Sequence, residues 1–303
     1  MKPKFLVLSK AVDLFLGEQI GSTHKSYQYV LNAMRDWVGP ARPLASVSSD
    51  QLIEFMQEVR KRPSIKSVAS VNKYVKTIRT FFNWCVKQKF IKSSPAVGLN
   101  YRRQEKAVKR EKAMPEADYQ RLIDFAKWDK RAYALVLFLG DTGCRIGGAA
   151  GLRWKYVDFD NNTATVTEKG KPPRYVFFER ECAQALLRWR GKKSFADEDY
   201  VFSLTGKRMT NAALGQCFRR LCISAEIGSW GPHSLRHRKG YQLSDAQISP
   251  SVAAQVLGHE NVQTTLEHYF PHDMKRAKEA AEQLGYKPAV PHSKVIILPK
   301  KSV

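Results

Sequence analysis

In the first hundred residues the apolar side chains recur at three- and four-residue steps, in four separate runs. Phe5, Leu8, Val12 and Phe15 form the first. Tyr27, Val30, Leu31, Met34 and Val38 form the second, after a Ser22-Thr23 start. Leu52, Phe55, Met56 and Val59 follow the cap-like run Ser48, Ser49, Asp50, and Val71, Val75, Ile78, Phe82 and Cys85 mark a long fourth. This spacing puts each set on one face of a helix. Each stripe is narrow, so the four helices must bury their faces against one another. The pattern predicts a four-helix domain over 1–100, stopped at Ser93-Ser94-Pro95.

Residues 101–113, YRRQEKAVKREKA, carry six basic side chains against two acidic ones and almost no apolar content, which reads as a basic linker. The rest, 114–303, predicts a mixed α+β domain. Helices are expected at 115–127, 130–140, 181–191, 210–224, 233–244, 250–258, 262–269 and 274–284. Strands are expected at 154–159, 163–167 and 174–178, the first two joined by Asp160-Asn161-Asn162. The fold class is therefore mainly α with a small antiparallel β-sheet. The β-prone run at 295–298 reads as part of a tail that either frays or pairs with another chain.

Charge narrows the partner. Lys plus Arg number 51 against 28 Asp plus Glu, a net charge of +23. The first 112 residues hold 22 basic and 8 acidic side chains, so the helical part is the more strongly basic. Such an excess implies a polyanion, and duplex DNA is the expected one. Lys73, Lys76 and Arg79 fall on the polar face of the fourth predicted helix. With Arg102, Arg103, Lys171, Arg238 and Lys239 they are the candidate phosphate contacts. Five cysteines without a CxxC pair support neither a disulfide framework nor a zinc site, and point to a reducing cytoplasm. No window approaches the ~20 apolar residues of a membrane span.

Cutting a phosphodiester requires neutralised non-bridging oxygens, a positioned nucleophile, a base for its proton and an acid for the leaving oxygen. Arginine suits the first task because its planar fork binds two phosphate oxygens. Arg145 in TGCRIGG and Arg236 in HSLR are the candidates. Tyr269, closing LGHENVQTTLEHY, is the candidate nucleophile. Its phenol is weak until a base or nearby cations favour the phenolate. His233 is placed to take that proton, His259 to donate to a phosphate oxygen, and Lys169 in EKGKPPR to protonate the departing 5′-oxygen. Lys171 competes for that last role. Each residue alone has a duller reading: an ion-paired arginine, a core histidine, a packed tyrosine. Their joint presence favours catalysis.

The chain resembles the tyrosine recombinases of the phage-integrase and Xer-type family. The matching pieces, in order, are TGCRIGGAAGLRW, VTEKGKPPRYVFF, HSLRH and LGHENVQTTLEHY. They align Arg145, Lys169, His233, Arg236, His259 and Tyr269 with the family's reacting set. The stretch SVNKYVKTIRTFFNWCVKQKFIKSSPA at 70–96 resembles the family's helical core-binding domain. The resemblance implies metal- and cofactor-free strand exchange through a 3′-phosphotyrosyl link, by a homo-tetramer on two DNA sites. Accessory DNA-bending proteins and a nucleoid-associated location go with it. Residues 274–303 would serve as the segment exchanged between protomers. Integration or excision of a mobile element is the expected role. The alternatives are resolution of replicon dimers, a type IB topoisomerase and a DNA-binding regulator that has lost catalysis. Three departures stand out. The spacing from His259 to Tyr269 is one longer than in Xer-type members, though other integrases share it. The family usually has an acidic residue three places after the first arginine, where this chain has Gly148. After Arg236 the chain reads HRKGY, where relatives usually have small and apolar residues.

Overall fold

The computed structural model describes residues 6–65, 67–102, 110–168, 170–191, 195–270 and 285. The chain divides into two compact units, Met1–Lys106 and Ala107–Val303. The expected helix at 274–284 and the β-prone run at 295–298 lie outside the described residues. So do Arg103 and Lys169.

The first unit contains helices α1 (Leu8–Gly17), α2 (Gly21–Val38), α3 (Ser49–Lys61) and α4 (Val68–Lys87). Their buried faces are the stripes read above: Leu8, Val12 and Phe15; Val30, Leu31 and Met34; Leu52, Phe55 and Val59; Val71, Ile78, Phe82 and Cys85. Ser48 caps α3 in a reciprocal box with Gln51, and the Ser67 hydroxyl accepts from the Ser70 N–H at the start of α4. Lys73 and Lys76 stand exposed on α4. Arg79, half-buried, already has local partners. Its guanidinium donates to the Leu99 carbonyl at 3.1 Å and lies over the Tyr101 ring, so it fastens the segment that follows the helix. Arg102 is exposed, with its backbone N–H bonded to the Asn72 side chain.

In the second unit, Arg110–Lys112 form a 3-10 turn and Met114 is buried, its N–H donating to the Ser234 carbonyl. The end of the expected linker is thus folded. Helices α5 (Glu116–Ala126), α6 (Lys130–Thr142), α7 (Ile146–Gly151), α8 (Arg180–Arg190) and α9 (Asn211–Ser224) follow. They are joined by α10 (His233–Asp245), α11 (Pro250–Leu257) and α12 (Val262–Tyr269). Strands β1 (Val157–Asp158), β2 (Thr163–Val166) and β3 (Arg174–Phe177) make one antiparallel sheet in chain order, with Ala164 opposite Val176. Helix α6 is apolar nearly all round from Ala132 to Leu139 and is buried accordingly, beside Trp154, Trp189 and Phe218.

Two elements differ from the expectation. Residues 154–156 are a 3-10 turn and not the start of a strand, because the N–H groups of Trp154 and Lys155 donate to the Asp199 and Asp197 carbonyls outside the sheet. Helix α7 was not anticipated at all. Its sequence, IGGAAG, has no apolar stripe to read.

Candidate active site

The second unit brings together candidate residues from separate stretches of chain. Gly143 ends α6 in the left-handed conformation. Arg145 follows two residues on, immediately before α7. Arg236 lies one turn into α10 and is 1% exposed. Its Nη1 donates to the Gly143 carbonyl at 2.9 Å, and its Nη2 is buried with no partner. Burial, then the neighbouring Arg145, lowers its pKa to about 10, so it remains a cation at neutral pH.

Gly258 repeats the device at the end of α11. Its φ of +67° ends the helix there, and its carbonyl accepts from Arg145 Nη1 at 3.4 Å and Lys171 Nζ at 3.3 Å. Its bare Cα also meets a guanidinium, since a Cβ there would lie 2.3 Å from Arg174 Nε. Arg174 in turn donates to the Val256 carbonyl at 2.8 Å. Arg145 is held from its other side by the carboxylate of Glu168, which pairs with its guanidinium and accepts from its backbone N–H at 3.1 Å.

Tyr269 closes α12 with only 2% of its surface exposed. Its hydroxyl lies 3.1 Å from His237 Nδ1, and its ring is nearly parallel to that of His259, with centroids 6.2 Å apart. Gly240 makes room for this ring: a Cβ at 240 would meet it at 2.5 Å. Burial is the largest influence on the phenol and raises its pKa to about 12, while Arg236 and Arg145 both oppose the rise. The hydroxyl therefore sits within electrostatic reach of both arginines. His259 Nδ1 bonds the buried Thr265 hydroxyl at 2.7 Å. Burial first, then Arg236 and Arg145, depress the His259 pKa to about 3. His237 is lowered to about 4 by burial and by the neighbouring His233 and His268.

The structure thus gathers Arg145, Arg236, His259 and Tyr269. His233 is more exposed, with its ring edge-on to His237 at 4.9 Å, and the ring that touches the phenol is His237. The Arg238 guanidinium donates twice to Glu116 and lies 3.9 Å above the Tyr119 ring centroid, so it braces α5. Lys239 packs its stem beside Gly143. The sequence reading gave no catalytic role to Glu168, Arg174, His237 or Thr265, although each lies inside a quoted motif: Glu168 and Arg174 in VTEKGKPPRYVFF, His237 at the end of HSLRH, Thr265 in LGHENVQTTLEHY.

Comparison with known proteins identifies the family and the fold. A model of the phage integrase family matches residues 112–276. The tyrosine recombinase XerC of Salmonella typhi is 26% identical over 254 residues, covering 80% of this chain and 83% of its own. XerC of Treponema denticola is 28% identical over 248 residues, covering 74% and 78%. Among solved structures, the Tn1549 transposon integrase in complex with transposon right end DNA shares the fold. Its TM-score is 0.75 at 19% identity, over 93% of this chain and 100% of that one. On the family match, which spans more than half its length, the chain belongs to the phage integrase family of tyrosine recombinases.

Proposed function

We propose that the protein is a site-specific DNA recombinase that integrates or excises a mobile element. The observation that carries this reading is the Tyr269 hydroxyl, buried, within electrostatic reach of Arg236 and Arg145 and hydrogen-bonded to an imidazole. The Tyr269 oxygen attacks the phosphorus. The bond from phosphorus to the 5′-oxygen breaks, and the phosphate stays on the 3′ end as a phosphotyrosine. Lys169 supplies the proton that the departing 5′-oxygen needs. The 5′-hydroxyl of a partner strand then reverses the step, so the energy of the broken bond is conserved and no nucleotide is consumed.

Arg145 and Arg236 neutralise the charge that grows on the non-bridging oxygens. His259 is neutral at pH 7. With the Thr265 hydroxyl donating to Nδ1, its Nε2–H is free to donate to a phosphate oxygen. The strongly basic α4 face at Lys73 and Lys76 would grip the duplex backbone. The protein would work as a tetramer on two DNA sites.

A nicked suicide substrate tests the reading. A recombinase accumulates a covalent 3′ adduct and, with paired sites, a four-way junction. A DNA-binding regulator gives no adduct, and a topoisomerase relaxes supercoils without a paired site. Products confined to tandem copies of one replicon would assign dimer resolution instead.

His237 makes a second expectation. A pKa of about 4 leaves its imidazole neutral above that pH, with Nδ1 able to accept the phenolic proton. The cleavage rate should then be flat between about pH 5 and 9. In His237→Ala the phenol must ionise unaided. The rate should fall about 10²-fold at neutral pH and climb about tenfold per pH unit toward the Tyr269 pKa of about 12. A flat profile in the variant would remove His237 from the proton path.

A further inference from the structure

We propose that Glu168 is the positioning residue that aims Arg145 at the phosphate, and that it takes the place of a carboxylate that position 148 could equally have supplied. The claim rests on the recombinase reading above.

Glu168 lies just beyond β2 and is 6% exposed, a rare environment for a carboxylate unless it is paired. Both its oxygens face Arg145. Oε1 accepts from the Arg145 backbone N–H at 3.1 Å, and Oε2 pairs with Arg145 Nη1. The guanidinium of Arg174 approaches Oε1 to 3.7 Å. One carboxylate therefore fixes the backbone and the side chain of Arg145 together. Burial works against its ionised form, but the Arg145 contacts and then Arg174 outweigh that and hold its pKa below the usual range. It is also the one buried acidic side chain beside three guanidiniums, those of Arg145, Arg174 and Arg236, among the described residues.

Gly148 faces the same carboxylate from α7. A Cβ there would stand 3.6 Å from Glu168 Cγ, 3.7 Å from Oε1 and 3.5 Å from Val166 Cβ. These are ordinary contacts, so a Cβ fits, but anything longer would have to enter the space that the Glu168 carboxylate fills. The two positions are alternative sources of one carboxylate. A small residue at 148 leaves the carboxylate of Glu168 its place beside Arg145, and two acids there would repel each other.

The test is a four-way comparison of single-turnover adduct formation at saturating DNA, with binding measured separately. Wild type must form adduct; if it does not, the recombinase reading has failed and the comparison is moot. Glu168→Ala should slow cleavage by about 10²-fold while DNA affinity changes less than about tenfold, since the arginine is still present but loosely held. Gly148→Glu alone should also be slow. The double variant Glu168→Ala/Gly148→Glu should recover to within about tenfold of wild type. Folding is followed by thermal melting. If Glu168→Ala does not fold, Glu168→Gln takes its place: it keeps the shape but turns an amide N–H toward a guanidinium, and it should be slow as well. Wild-type cleavage by a folded Glu168→Ala or Glu168→Gln overturns the proposal. So does a folded double variant no faster than Glu168→Ala, because a merely structural carboxylate has no reason to be replaceable from α7.

Discussion

Tyr269→Phe is expected to eliminate the covalent DNA adduct altogether while specific DNA binding survives. The ring is what α12 buries: it packs on Gly240, meets Tyr241 edge-on and lies parallel to His259. Phenylalanine keeps all of this. The substitution removes one hydrogen bond to His237, a loss of about 1 kcal/mol that the apolar surroundings of the ring partly offset. The melting temperature should accordingly move by no more than a few degrees. The chemical effect is of another order. A slowed enzyme still reaches full adduct in time, whereas one without a nucleophile never does. Tyr241, the neighbouring phenol with the Arg110 guanidinium over its ring, is the built-in control. Tyr241→Phe should retain adduct. A suicide-substrate gel in which Tyr269→Phe still forms the protein–DNA band would reassign the nucleophile, with Tyr241 first in line.

The contrast between the histidines shows what a sequence can and cannot convey about such a site. Tyr269, His259, Arg236 and Arg145 were legible because each sits in a short motif whose residue types match one reaction. The partners that tune them were not. Glu168 is 23 residues from Arg145, His237 is 32 from Tyr269, and the Gly258 carbonyl is 113 from Arg145. Periodicity sees only the burial of one element, so a hydrogen bond between two elements leaves no trace in either. The same limit explains Arg79 and Arg238. Both lie in strongly basic stretches and read as outward-facing charges, yet each is spent on a local brace, one at the Leu99 carbonyl and the other at Glu116.

The fold divides along similar lines. The helices of the first unit follow from their stripes because burial alone sets their faces. The turn at 160–162 follows from side chains that favour it: Asp158 accepts from the N–H groups of Asp160 and Asn161, and Asn162 takes a φ of +52°. Helix α7 follows from neither rule. Its six residues are an isoleucine and five small ones, and what holds them is tertiary: the Arg145 carbonyl accepts from Gly148, and Glu168 grips the residue before the helix begins. An element made by the site cannot be read before the site is known.

Arg236→Met should leave a protein that folds at least as well as wild type and cleaves DNA at least about 10³-fold more slowly. Both halves come from the same observation. Arg236 is 1% exposed, donates once to the Gly143 carbonyl, and buries an Nη2 that no protein group accepts from. A buried donor left unsatisfied costs about 1–3 kcal/mol, and the cation also faces Arg145, which helps bring its pKa down to about 10. Methionine fills similar space without either penalty, at the expense of one bond to Gly143 worth about 1 kcal/mol. The melting temperature should therefore hold or rise. A DNA phosphate would offer two oxygens to a fork already fixed in place. Losing an arginine that meets the developing charge of a phosphoryl transfer costs about 10³–10⁵ in rate. Binding should weaken as well, with the slope of log K against log salt shallower by about 0.9, the value of one phosphate contact. The opposite pattern, a variant melting several degrees lower yet cleaving at nearly the wild-type rate, would make Arg236 a structural post for the α6 terminus and leave its unpaired nitrogen without a role.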